Sequence, residues 1–65
     1  MNKIKEIRME NGLTQAELSE LTGLKQQYLS SLENDKRDIL GISTGNSLKI
    51  AQALGCTIEA LIGLD

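Results

Sequence analysis

Gln26 and Gln27 stand side by side, with Lys25 immediately before them and Ser30 one helical turn further on. A glutamine amide carries both a donor and an acceptor. It can therefore bond N6 and N7 of an adenine together in the major groove. Lysine adds a point charge suited to a phosphate or a guanine. These are binding chemistries. Catalysis finds little support, because the chain has no histidine to act as a base for its serines. Its carboxylates are spread along helix faces. Cys56 is the only cysteine, and one thiol without a histidine cannot build a zinc site. We expect no catalytic residue, no metal, no cofactor and no enzymatic activity.

The elements that must hold those side chains are helices. Helix formers dominate, proline is absent, and β-branched residues are not arranged in alternating runs. Asn2 caps a first helix to about Asn11, with Ile4 and Ile7 on one face, and Gly12 stops it. Thr14 and Glu17 have capping-box spacing. They start a second helix to about Thr22, with Leu18 and Leu21 sharing a face, and Gly23 ends it. A third helix, Gln26–Glu33, gathers Tyr28, Leu29 and Leu32 on one side. Gln26, Gln27, Ser30 and Ser31 lie on the other, an outer face that is uncharged and hydrogen-bonding. Asn34 to Gly45 reads as a loop whose Ile39, Leu40 and Ile42 pack down in part. A fourth helix runs from about Asn46 to Leu54, near Ser43 or Thr44, with Leu48, Ala51 and Leu54 on one face and Ile50 flanking. Gly55 stops it. Thr57 caps a short fifth helix holding Ile58, Leu61 and Ile62.

The 65 residues suit one domain, residues 1–65, of the all-α class. No apolar run approaches the roughly 18 residues of a membrane span. The stretch from Met1 to Arg8 lacks a signal-peptide core. A single cysteine allows no internal disulfide. These features together suggest a cytoplasmic protein. The net charge of −2 argues mildly against nucleic acid, so any such function rests on where the cations converge. Tyr28, the only aromatic residue, reads as packing at the core edge, with a hydroxyl contact to phosphate as the second reading. Cys56 reads as a small, half-buried residue before the last helix.

Two helices joined by the three residues Gly23-Leu24-Lys25 have the helix-turn-helix layout, over about residues 15–33. Ser19 is small enough for the two to cross closely. Leu18, Leu24, Leu29 and Leu32 occupy the positions that pack the pair. With these residues in view, the chain resembles the phage-repressor/Cro-like (Xre) family of helix-turn-helix regulators. "IKEIRMENGLTQAELSELTGL" resembles that family's first two helices and "YLSSLENDKR" the end of its recognition helix and the loop beyond. "LKIAQALGCTIEALIG" resembles its last two helices.

The resemblance implies a five-helix, lambda-repressor-like domain that binds double-stranded DNA sequence-specifically, as a transcriptional regulator with its third helix in the major groove. Carried over residue by residue, it implies that Gln15 bonds a phosphate. Lys25, Gln26, Gln27 and Ser30 would face base edges or nearby backbone, and Lys36 and Arg37 would approach the phosphates from the loop. Arg8 and Glu33 match a structural ion pair. This chain departs from the family in three ways. Lys25 stands where serine or threonine often caps the recognition helix, a loss of about 0.5–2 kcal/mol. The 34–46 loop is about three residues longer than the common form and lacks its proline. Asp35 replaces a frequent glycine. A homodimer, formed in solution or only on DNA, would place two recognition helices about 34 Å apart. Ile58, Leu61, Ile62 and Leu64 offer either core or a two-fold contact. The alternative function is protein interaction on the same fold, such as an antitoxin holding a toxin or an anti-repressor.

Overall fold

The computed structural model describes residues 2–64 and is all-helical over that range, so the outermost residues of the expected domain, Met1 and Asp65, lie outside the described residues. Five α-helices follow one another: α1 (Ile4–Glu10), α2 (Gln15–Thr22), α3 (Gln26–Glu33), α4 (Thr44–Leu54) and α5 (Ile58–Ile62). A single 3₁₀ turn, Ile39–Gly41, interrupts the long connection before α4. α2 packs on α3 and α4, α5 on α4 and α1, and α1 on α3. Each α-helix sends at least one fully buried side chain into a single core: Ile4, Leu18, Leu29 and Leu32, Ile50 and Leu61. Burying each of these contributes about 1.5–3 kcal/mol.

Local chemistry explains most of the boundaries. Thr14 Oγ1 accepts from the Glu17 amide at 3.0 Å, and Glu17 Oε1 accepts from the Thr14 amide at 2.9 Å. Both halves of the capping box are therefore made. Ser43 and Thr57 cap α4 and α5 through their hydroxyls. At the start of α1, Asn2 Oδ1 accepts from the Ile4 amide at 3.0 Å. The Asn2 amide donates to Leu32 O at 2.7 Å, tying the first helix to the last turn of α3. The residue after α2, Gly23, takes φ 74° and donates to Ser19 O at 2.8 Å. Space is not the constraint there, since an added Cβ meets nothing within 4 Å. The left-handed backbone is what disfavours other residues, by roughly 1–2 kcal/mol.

The helices differ from the spacing-based reading in three places, two of them faces and one a boundary. Leu21 is 60 % exposed, and the buried partner of Leu18 is Thr22. On an ideal helix Thr22 lies about 40° from Leu18, and Leu21 lies about 60° away on the other side. The Thr22 hydroxyl removes the usual penalty of burial by donating to Leu18 O at 2.8 Å. In α4, Leu48 is 44 % exposed, whereas Ile50 is fully buried beside Ser47, Ala51 and Leu54. Leu48 and Ile50 sit about 160° apart on the helix, so only one can face the core. Finally, α4 begins two residues earlier than expected, at Thr44, because the Ser43 hydroxyl caps it. The expected Asn34–Gly45 loop is correspondingly shorter and contains the buried Ile39.

Candidate nucleic-acid interface

The helix-turn-helix unit is held from both ends. At the turn, the Ser19 hydroxyl donates to Leu24 O, and Thr22 Oγ1 accepts from the Leu24 amide at 3.2 Å. Two small hydroxyl side chains thus satisfy the turn backbone and set the angle at which α3 leaves α2. At the far end, Arg8 grips Glu33 with two bonds, Nε to Oε2 at 2.8 Å and Nη2 to Oε1 at 3.0 Å. A third guanidinium nitrogen donates to Leu13 O at 2.7 Å. The pair is buried, with the Glu33 side chain 1 % exposed. Hydrogen bonding to Glu33, opposed by burial and aided by the carboxylate charge, raises the Arg8 pKa above its ordinary value. The guanidinium stays charged throughout the neutral range.

Gln15, the first residue of α2, joins the same network: its Nε2 donates to Glu33 Oε1 at 3.2 Å. One amide hydrogen and the amide oxygen have no hydrogen-bond partner among the described residues. Sequence spacing does not reveal this contact, because it joins two different helices, α2 and α3.

The paired glutamines lie where the amphipathic pattern puts them. Gln26 and Gln27 are exposed, as is Lys25, while Leu29 and Leu32 on the opposite side are fully buried. Ser30 is half-buried and its hydroxyl accepts from Asn34 Nδ2 at 3.3 Å. Ser31 is also half-buried and bonds back to Tyr28 O at 2.6 Å, so the free outer face is narrower than the spacing implies. Lys25 offers no side-chain cap to α3. The amides of its first turn therefore point outward without an internal acceptor, at the positive end of the helix dipole.

The loop folds back on α3. The Lys36 and Arg37 amides both donate to Ser31 O, at 2.9 and 3.1 Å, and Asp35 adopts φ 57° to make the turn. That left-handed conformation explains why glycine suits this position. Arg37 turns its guanidinium over the Tyr28 ring, 5.1 Å from the centroid. The Tyr28 hydroxyl accepts from Asn46 Nδ2 at 3.1 Å. Tyr28 is half-buried, so it does pack at the core edge. Among the described residues the ion pairs are Arg8–Glu33 and Lys3–Glu6, and Lys25, Lys36 and Arg37 have no carboxylate partner. Lys25 thus lies beside the exposed amides of α3, and Arg37 lies over the Tyr28 ring of the same helix. The Asn46 and Arg37 contacts to Tyr28 were not legible beforehand; Asn46 carried no signal beyond its place in a helix first turn.

No cluster of three or more His, Cys, Asp or Glu side chains able to hold a metal occurs among the described residues. Cys56 is half-buried, and burial pushes its thiol pKa up, away from reactivity. Leu61 belongs to the core, whereas Leu64 is 77 % exposed and Leu40 72 %. No helix among the described residues is long and apolar enough to cross a membrane.

Comparison with known proteins agrees with this geometry. A helix-turn-helix family model matches residues 4–61. The chain is 43 % identical over 56 residues to the uncharacterized HTH-type transcriptional regulator y4dJ of Sinorhizobium fredii; the match spans 86 % of this chain and 69 % of that protein. It is 38 % identical over 61 residues to the immunity repressor protein of Bacillus phage phi105, spanning 94 % of this chain and 40 % of the repressor. No solved structure matches the chain significantly. With its turn at Gly23, its buried Arg8–Glu33 pair and its match across nearly the whole length, the chain belongs to the helix-turn-helix family of the Cro/C1, phage-repressor type.

Proposed function

We propose that this repressor-like, DNA-binding regulator reads a double-stranded operator by inserting the start of α3 into the major groove. Gln26 and Gln27 contact base edges there, one or both through a bidentate adenine contact. Lys25 and Ser30 lie at the margin of that contact. Lys36 and Arg37 engage the phosphates from the loop, and Gln15 adds its remaining amide hydrogen to a phosphate at the start of α2. The observation that carries this reading is the exposure of both glutamines on a helix whose opposite face is locked in the core. Residues 1–65 act as one domain in the cytoplasm, without catalytic chemistry.

A single domain offers few base contacts, so we propose that two copies bind together as a homodimer, with recognition helices one helical turn of DNA apart. The exposed Leu40 and Leu64, beside half-buried Ile62, support a two-fold contact there. The antitoxin or anti-repressor reading would use the same apolar side chains for a foreign partner.

Selection from a random duplex library tests the assignment. Gln27→Ala is expected to cost about 1–3 kcal/mol and relax preference at one base pair, and Lys36→Ala to weaken all sequences alike. Binding should fall linearly in log[salt], with slope about −0.9 per phosphate engaged. A partner-protein interface would respond far less to salt. If no duplex is enriched, the DNA reading fails.

A further inference from the structure

Tyr28 is joined to two elements beyond its own helix, α4 through Asn46 and the loop through Arg37. A concavity of about 260 Å³ lies between the helix-turn-helix turn and the start of α4, lined by Gly23, Leu24, Lys25, Tyr28 and Asn46. The Tyr28 hydroxyl oxygen accepts from Asn46 Nδ2 at 3.1 Å. It donates to no described acceptor, so its own hydrogen is available to the concavity. Arg37 lies over the same ring. Lys25 stands at the rim and has no carboxylate partner among the described residues. Asn46 itself lies in the first turn of α4, an 11-residue helix capped by Ser43. The Ser43 hydroxyl takes the Asn46 amide, which leaves the Thr44 and Gly45 amides without an intrahelical acceptor.

The Asn46 amide of α4 and the Arg37 guanidinium of the loop thus both contact the Tyr28 side chain, and Lys25 lines the concavity beside it, in a chain whose net charge is −2. Among the described residues no carboxylate lines this concavity. We infer that this is a clamp for one backbone phosphate of the DNA: the Tyr28 hydroxyl donates to a phosphate oxygen, and Lys25 and Arg37 supply the charge. Asn46 is a positioning residue that aims the phenol. The inference rests on the proposed DNA reading and adds a contact to it. Because a phosphodiester looks alike at every base, the clamp raises affinity and sets register without reading sequence. The ring serves twice, since it also holds the Arg37 side chain in place for the same anion.

The test uses the full chain and a duplex obtained by library selection. Tyr28→Phe keeps the ring and the Arg37 contact but removes the hydroxyl. It is expected to weaken binding roughly tenfold, equally for the selected duplex and for its single-base variants. Arg37→Gln is expected to make the salt slope shallower by about 0.9. A scan of methylphosphonate substitutions should find one phosphate whose neutralisation weakens the native protein but adds nothing to Tyr28→Phe. Asn46→Ala should reproduce part of the Tyr28→Phe loss and none beyond it when the two are combined. Unchanged affinity in Tyr28→Phe, a loss confined to one base pair, or losses that multiply at every phosphate would each overturn the clamp while leaving the Gln27 result intact. If no duplex is selected, the underlying DNA reading falls, and the clamp with it. Circular dichroism of each variant establishes that it is folded.

Discussion

α2 and α3 are equally long, eight residues each, and lie on either side of one turn, yet their first turns are built differently. At α2, Thr14 and Glu17 satisfy each other's amides in a complete capping box. At α3, Lys25 occupies the cap position and accepts nothing. The first is closed by the protein itself. The second leaves several amides and one cation facing outward, at the end of the helix that carries the exposed glutamines. A missing cap costs about 0.5–2 kcal/mol, a large share of the few kcal/mol that stabilise so short a chain. Such local rule-breaking is expected where a ligand completes the structure. This domain thus closes the start of α2 with its own side chains, whereas the first turn of α3 has no side-chain cap, as the proposed DNA contact would require.

The comparison can be broken most forcefully at Glu33, which bonds both Arg8 and the first residue of α2. Glu33→Ala leaves a buried guanidinium unpaired and should cost about 3–5 kcal/mol. Urea denaturation measures it; a loss below about 1 kcal/mol would show that the pair does not hold the two helices. Next in size is the closed start. Thr14→Ala should destabilise by about 1 kcal/mol, while the folded fraction keeps its DNA affinity and salt slope. A change in slope would mean that α2's cap also serves the ligand. The smallest effect is the most discriminating. Lys25→Ser restores the cap and should raise stability by roughly 0.5–1 kcal/mol. In the same variant the salt slope becomes shallower by about 0.9. A stability gain with no change in slope would place Lys25 outside the phosphate contacts.

The contrast also shows which features short-range patterns can carry. Thr14-x-x-Glu17 and Thr57 predict their helix starts because capping is a contact between residues three apart. Gly23 predicts the turn because only its backbone reaches φ 74° without strain. The inward side of α3 was legible from Leu29 and Leu32, and with it the outward side of Gln26 and Gln27. The inward sides of α2 and α4 were not. Leu21 and Leu48 are as apolar as the residues that won, and a helix of two or three turns tolerates a rotation of several tens of degrees. Packing across helices decided in favour of Thr22, whose hydroxyl could be satisfied internally, and of Ile50.

By itself, then, the sequence determined the five α-helices, most of their ends and the amide-rich face of α3, since each depends on neighbours within about one turn of chain. Only the tertiary structure decided that Gln15 bonds Glu33, that Arg37 covers Tyr28 and that Asn46 holds the phenol. These contacts join residues from different elements. Their distances follow from crossing angles set by the whole core, and no periodicity along the chain encodes them.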